Sequence, residues 1–148
     1  MKVALKLLTI LIFVSVTLSS NYVSAKRAAI IIDYDTQEVL FEVNADTLNY
    51  PASLAKIMTL YITFDYLDKN KLSWDAKMKV SETAASRSPS KLYLEKDSLI
   101  SVKDAVIALI VKSANDVATV IAEHIAGTER DFAKLMTKYA KQIGMNDT

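Results

Sequence analysis

The chain opens on a basic start, Lys2 and Lys6, followed by an apolar run from Leu7 to Leu18 broken only by Thr9, Ser15 and Thr17. Val23-Ser24-Ala25 then puts small residues where a signal peptidase reads. The run is shorter than the roughly 20 residues a spanning helix needs. The pattern therefore predicts an export signal over 1–25, cleaved after Ala25, and a mature part, 26–148, that does not span a membrane. From Ala28 the pattern becomes that of strands. Ala28–Asp33 is rich in β-branched residues, Asp35-Thr36 is turn-like, and Glu38–Val43 alternates with Val39, Phe41 and Val43 on one face. Together they predict a β-hairpin. From Ser53 the period turns helical, with Leu54, Ile57, Met58, Tyr61 and Ile62 in step as far as about Leu67. Pro51 lies just ahead, where it fixes the entry without breaking the ladder.

The rest of the pattern is mostly helical. Lys77–Val80 predicts a short strand, Ser81–Ala85 a helical turn, and Arg87-Ser88-Pro89-Ser90 a loop. Ser101-Val102-Lys103-Asp104 resembles a capping box with Asp in the Glu position. It opens the apolar stretch Ala105–Val111, which predicts a buried helix. Periodicity restarts after Asn115 with Val117, Val120, Ile121 and Ile125, and Gly127 ends it. Thr128-Glu129-Arg130-Asp131 starts a last helix with Phe132, Leu135, Met136 and Tyr139 inward and Lys134, Lys138 and Lys141 outward.

Composition removes several functions. The 148 residues carry 18 Lys+Arg against 17 Asp+Glu. Without Lys2 and Lys6 the balance is 16 against 17, a net −1, which gives no basic field for nucleic acid. Cysteine is absent, so no thiolate nucleophile or Cys-based zinc site exists. The lone His124 excludes a His-rich metal site. Gly127 and Gly144 cannot build a Walker loop or a dinucleotide fingerprint. Neither a metal nor a cofactor is expected.

Two short constellations carry chemistry. In Ser53-Leu54-Ala55-Lys56 the serine and the lysine lie three apart, on one face of a helix. Serine is a poor nucleophile until a base takes its proton. A lysine amine can be that base when burial or a helix N-terminus lowers its pKa. The plain alternative is a capping serine beside a solvated lysine. Ser113-Ala114-Asn115 sets a hydroxyl and an amide between two helical stretches, where polar groups need partners. Its plain alternative is Ser113 capping the next helix.

Taken together, Tyr50-Pro51-Ala52-Ser53-Leu54-Ala55-Lys56, Pro89-Ser90-Lys91-Leu92 and Lys112-Ser113-Ala114-Asn115-Asp116 resemble the penicillin-binding D-alanyl-D-alanine carboxypeptidases, the serine peptidase S11 group. The likeness runs over the mature chain. It implies an α/β (α+β) transpeptidase/β-lactamase-like fold, with an N-terminal β-hairpin and a helical cluster, of which this chain is the N-terminal part. It implies Ser53 as acylated nucleophile, Lys56 as general base and Ser113 as proton relay to the leaving D-alanine. Asn115 would bind the substrate backbone and help place Lys56. The substrate would be a peptidoglycan stem peptide ending in D-Ala-D-Ala, with β-lactams as covalent inhibitors. Periplasm or cell-wall compartment is the expected location.

The sequence departs from the family in places. No Lys-Thr-Gly tripeptide, the family's third motif, occurs among the 148 residues. Little turnover by the chain alone is therefore expected. Gln37, Tyr93 and Asp97 stand where family members often have glycine. Two other readings compete: a secreted non-catalytic helical binding module, and a β-lactamase-type hydrolase sharing the first two motifs. His124, Trp74, the Asp33/Asp35 pair and the lysine edge of the last helix have ordinary structural explanations: a helix C-terminus, apolar area, a turn and a solvated face.

Overall fold

A computed structural model describes residues 27–146, so the signal read over 1–25 lies outside the described residues. The chain divides at Tyr50/Pro51 into two compact units. In the first, β1 (Ala29–Ile32) and β2 (Val39–Val43) pair antiparallel, Ala29 opposite Val43 and Ile31 opposite Phe41, with an irregularity between Ile31 and Ile32. The turn is built by Asp33. Its carboxylate accepts from the Asp35 N–H at 3.1 Å, the Thr36 N–H at 2.8 Å and the Thr36 hydroxyl at 2.9 Å. The bonds from Thr36 hold its pKa below the usual carboxylate value. The Asp33/Asp35 pair is thus turn chemistry, as its sequence suggests.

The second unit begins with a 3-10 turn, Ala52–Leu54, running directly into α1 (Ala55–Asp68). Then come β3 (Lys77–Lys79), α2 (Glu82–Ala85), β4 (Leu99–Ser101), α3 (Val102–Lys112), α4 (Asn115–Ala126) and α5 (Glu129–Gln142). Three of the helices start on a side-chain cap. Ser81, Ser101 and Thr128 accept from the N–H groups of Ala84, Asp104 and Asp131. Each cap satisfies an orphan donor and contributes about 1 kcal/mol. β4 is not apparent in the sequence pattern. It pairs antiparallel with β3, Met78 opposite Ile100.

α4 is the centre of this unit. Val117, Val120 and Ile121 join Met78, Val80, Ile100, Val106 and Leu109 in one core. Ala122 joins Ile62 and Phe132 in a second, flanked by Met58, Leu135, Met136 and Tyr139. Two expectations change. α3 is buried only along Val102, Ala105, Val106, Ala108 and Leu109, while Ile107, Ile110 and Val111 are exposed. Its neighbours cover one side, so a helix that is apolar all round leaves a stripe in solvent. Along the 3-10 turn and α1 the periodic residues split likewise. Ile62 is buried and Met58 partly so, whereas Leu54, Ile57 and Tyr61 are exposed.

Gln37, Tyr93 and Asp97 have φ of 61°, 61° and 65°. Glycine adopts that left-handed region freely, whereas a side chain there costs energy. All three positions thus hold a backbone conformation that glycine takes more easily.

α1 and α5 are tied by Tyr139, whose hydroxyl donates to Asp65 Oδ2 at 2.6 Å. Lys69 Nζ sits 2.7 Å from Asp65 Oδ1. The bond to Lys69, then that from Tyr139, holds the Asp65 carboxyl below its usual value. The same Asp65 acceptor pushes the Tyr139 phenol up to about 12. A folded pKa above the unfolded one stabilises fully below pH 10.0 and is lost as pH rises toward about 12. Tyr139→Phe is expected to lower unfolding free energy by about 1 kcal/mol at neutral pH. Denaturant titrations of both proteins should show that gap closing above pH 10.0.

Candidate active site

Ser53 lies in the 3-10 turn, entered through Ala52 at a φ of 49°, and Lys56 lies in the first turn of α1. One helical turn apart, they share a face, and Lys56 Nζ is 3.4 Å from Ser53 Oγ. Ser53 is exposed and Lys56 half-buried. The other two groups arrive from the junction of α3 and α4. Ser113 ends α3 in a left-handed conformation, φ 54° and ψ 40°. Ala114 then runs extended and buried, and α4 starts at Asn115. This sharp turn aims both polar side chains at Lys56. Nζ lies 3.2 Å from Ser113 Oγ and 2.6 Å from Asn115 Oδ1.

All four candidate residues therefore meet around one amine, across a sequence separation of 57 to 59 residues. Ser113 does not cap α4. Ala114 holds that place, with no side-chain hydrogen bond.

The orientation of Asn115 is fixed by what surrounds it. Its Nδ2 donates to the Ser88 carbonyl at 2.9 Å, and its backbone N–H donates to the Ser90 carbonyl at 2.7 Å. A carbonyl only accepts, so the NH2 end must face Ser88 and the oxygen must face Lys56. Ser90 Oγ donates to the Lys112 carbonyl at 2.8 Å and closes the loop onto the same junction. The next residue, Asp116, is fully buried. Its carboxylate accepts the N–H groups of Leu92 at 3.0 Å, Leu94 at 3.1 Å and Val117 at 2.9 Å.

Burial draws the Lys56 pKa below the ordinary lysine value. Protonated, the ammonium has three donors for its three neighbours. Neutral, it has two N–H bonds and one lone pair. Asn115 Oδ1 can only accept, so it claims an N–H. The lone pair is then free for a hydroxyl proton from Ser53 or Ser113. The arrangement suits a proton transfer from an exposed serine, the requirement for nucleophilic catalysis without histidine.

The remaining candidates lie outside this cluster. His124 is exposed in the last turn of α4. The Trp74 ring packs on Phe64, centroids 6.1 Å apart. Lys134 pairs with Asp131 at 2.7 Å. Sequence reasoning missed the two loop carbonyls, since a backbone acceptor carries no residue signature. It also passed over Asp116, for which a signal existed: a carboxylate inside an apolar helical pattern must find donors.

A family model described as D-alanyl-D-alanine carboxypeptidase matches residues 15–148. The chain is 35% identical over 130 residues to the D-alanyl-D-alanine carboxypeptidase DacF of Bacillus subtilis, covering 88% of this chain and 33% of that protein. Among solved structures, the D-alanyl-D-alanine carboxypeptidase DacD of Francisella tularensis superposes with a TM-score of 0.78 at 40% identity, over 87% of this chain and 31% of that one. Penicillin-Binding Protein D2 of Listeria monocytogenes, in its ampicillin-bound form, superposes with a TM-score of 0.71 at 34% identity, over 86% and 50%. These neighbours and the mix of helices with small sheets agree with the expected α+β, penicillin-binding-protein-like fold. The chain spans about a third of the length of the curated relatives it matches.

Proposed function

The chain belongs to the D-alanyl-D-alanine carboxypeptidase family, and from that premise we propose that it carries the acylating centre of a serine-type DD-carboxypeptidase acting on peptidoglycan stem peptides. The observation that carries the reading is the single amine of Lys56 within reach of Ser53, Ser113 and Asn115. Neutral Lys56 takes the Ser53 proton as Oγ attacks the carbonyl of the penultimate D-alanine. The Ser53 backbone N–H is one arm of the oxyanion hole. As the tetrahedral adduct collapses, the proton passes from Lys56 through Ser113 to the amine of the departing D-alanine. An ester on Ser53 remains. Water, losing a proton to Lys56, then cleaves that ester and restores the hydroxyl. Asn115 holds the lysine and hydrogen-bonds the substrate backbone. A β-lactam presents the same kind of carbonyl and stops at the ester.

The reading includes export through residues 1–25 to the periplasm or cell-wall compartment, and slow turnover by these 148 residues alone. The absent Lys-Thr-Gly motif supports the second point. The family resemblance gives the strand of that motif the second oxyanion donor, and one missing donor costs about a hundred- to a thousandfold in rate. A covalent label accumulates even when acylation is slow, so the test is long incubation with a fluorescent penicillin and mass mapping of the adduct. We expect one adduct, on the peptide holding Ser53. No adduct, or one elsewhere, overturns the reading.

A further inference from the structure

Two carbonyls of the loop 87–90 hold Asn115, and Arg87 leads into that loop. The Arg87 Nε donates to Thr119 Oγ1 at 3.0 Å, and its terminal nitrogen donates to Glu129 Oε2. Thr119 Oγ1 lies 2.7 Å from Glu129 Oε1 and 3.3 Å from the Asn115 carbonyl. Its one proton goes to the nearer, charged acceptor. Thr119, on α4 one turn beyond Asn115, is 2% exposed. Glu129 opens α5, where a carboxylate is favoured by the helix end. Three elements thus close a ring of hydrogen bonds around Arg87.

As a half-exposed ion pair alone, this ring would do little for stability. Its position says more. Ser88, the residue after Arg87, accepts from Asn115 Nδ2. A backbone carbonyl can be aimed only by anchoring the chain on either side of it. Ser90, bonded to Lys112, is the anchor on one side. On the other side the Arg87 side chain adds its clamp to two local bonds, from the Arg87 N–H to the Ala84 carbonyl at 3.1 Å and from Ser86 Oγ to the Thr83 carbonyl at 2.9 Å.

We propose that Arg87, clamped by Glu129 and Thr119, is a positioning residue that keeps the Ser88 carbonyl on the Asn115 amide and so keeps Asn115 Oδ1 turned to Lys56. The inference rests on the role assigned to Asn115 above. Without the clamp the Ser88 carbonyl drifts, and the carboxamide can rotate its NH2 toward the lysine. An NH2 cannot accept from Lys56, so the lone pair of the amine is no longer directed at the hydroxyls.

The test is single-turnover acylation by a penicillin in the 148-residue chain, comparing Arg87→Ala, Asn115→Ala and the double variant. Arg87→Ala is expected to slow acylation about ten- to a hundredfold. The double variant should be no slower than Asn115→Ala alone. Unchanged acylation in Arg87→Ala, or losses that add in the double variant, overturns the proposal. A chain that takes no penicillin at all contradicts the proposed function instead. The clamp is then judged by hydrogen exchange at the Asn115 N–H, which donates to Ser90. That amide should exchange faster in Arg87→Ala while those of Val120 and Ile121 do not change; equal exchange at Asn115 overturns the clamp. If Arg87→Ala does not fold, Glu129→Gln replaces it in both measurements. Slower acylation and faster Asn115 exchange are again expected, and no change in either overturns the clamp.

Discussion

Replacing Lys56 with methionine is expected to slow acylation of Ser53 by about a hundred- to ten-thousandfold, the range a positioned general base supplies. Methionine keeps an unbranched apolar stem and removes the amine. Ser53 Oγ then has no base among the groups gathered here, because Ser113 and Asn115 carry none. The native rate should also climb with pH as Lys56 loses its proton, and level off above its pKa. Burial sets that pKa below the ordinary lysine value, so the plateau should arrive earlier than for an exposed lysine. In Lys56→Met the climb should be absent. A variant that acylates at the native rate, or keeps the native pH profile, would show that the base lies elsewhere. The fold should survive, since Lys56 lies outside both hydrophobic cores.

Asp116→Ala is expected to cost about 3 kcal/mol or more in unfolding free energy, by loss of a buried acceptor bonded to several N–H groups. The carboxylate holds Leu92 and Leu94 onto α4 and caps its own Val117 N–H. Leu94 in turn packs on the larger core. Alanine leaves those N–H groups without their acceptor and opens a void beside Val117. Asp116→Asn keeps the shape but turns one acceptor into a donor, and should fall between the two. Chemical denaturation of the three proteins checks the order. A loss under about 1 kcal/mol for alanine would mean that water replaces the carboxylate, a surface-like outcome. The segment pinned by Asp116 adjoins Ser90, so the same variants should also slow acylation.

Local chemistry was legible in the sequence wherever neighbours in sequence are neighbours in space. Helix starts at Ser101 and Thr128 follow from cap residues with an acid three places on. The Ser53/Lys56 pairing follows from helical spacing alone. The hairpin follows from β-branched runs and the Asp33 turn. Distant meetings were not legible in this way. Nothing in periodicity brings Ser113 and Asn115 to Lys56; the family resemblance suggested it, and a left-handed residue at Ser113 makes it geometrically possible.

Other features escaped for physical reasons. β4 is three residues long and ends on Ser101, the cap of α3, so its residues read as the approach to that helix. The exposed stripe of Ile107, Ile110 and Val111 looks like core, because apolar character predicts burial and not which side is covered. Arg87, Glu129 and Thr119 are ordinary polar residues far apart in sequence. Only their contacts with the loop that holds Asn115 give them a part in the site.

The proposed chemistry stands on Lys56 being an amine poised to lose its proton beside Ser53. A pH titration of lysine side chains by carbon NMR reads that property itself, with the Lys56 signal assigned by its disappearance in Lys56→Met. We expect this lysine to titrate below all the exposed ones. A Lys56 midpoint at or above the ordinary lysine value would contradict the proposed role.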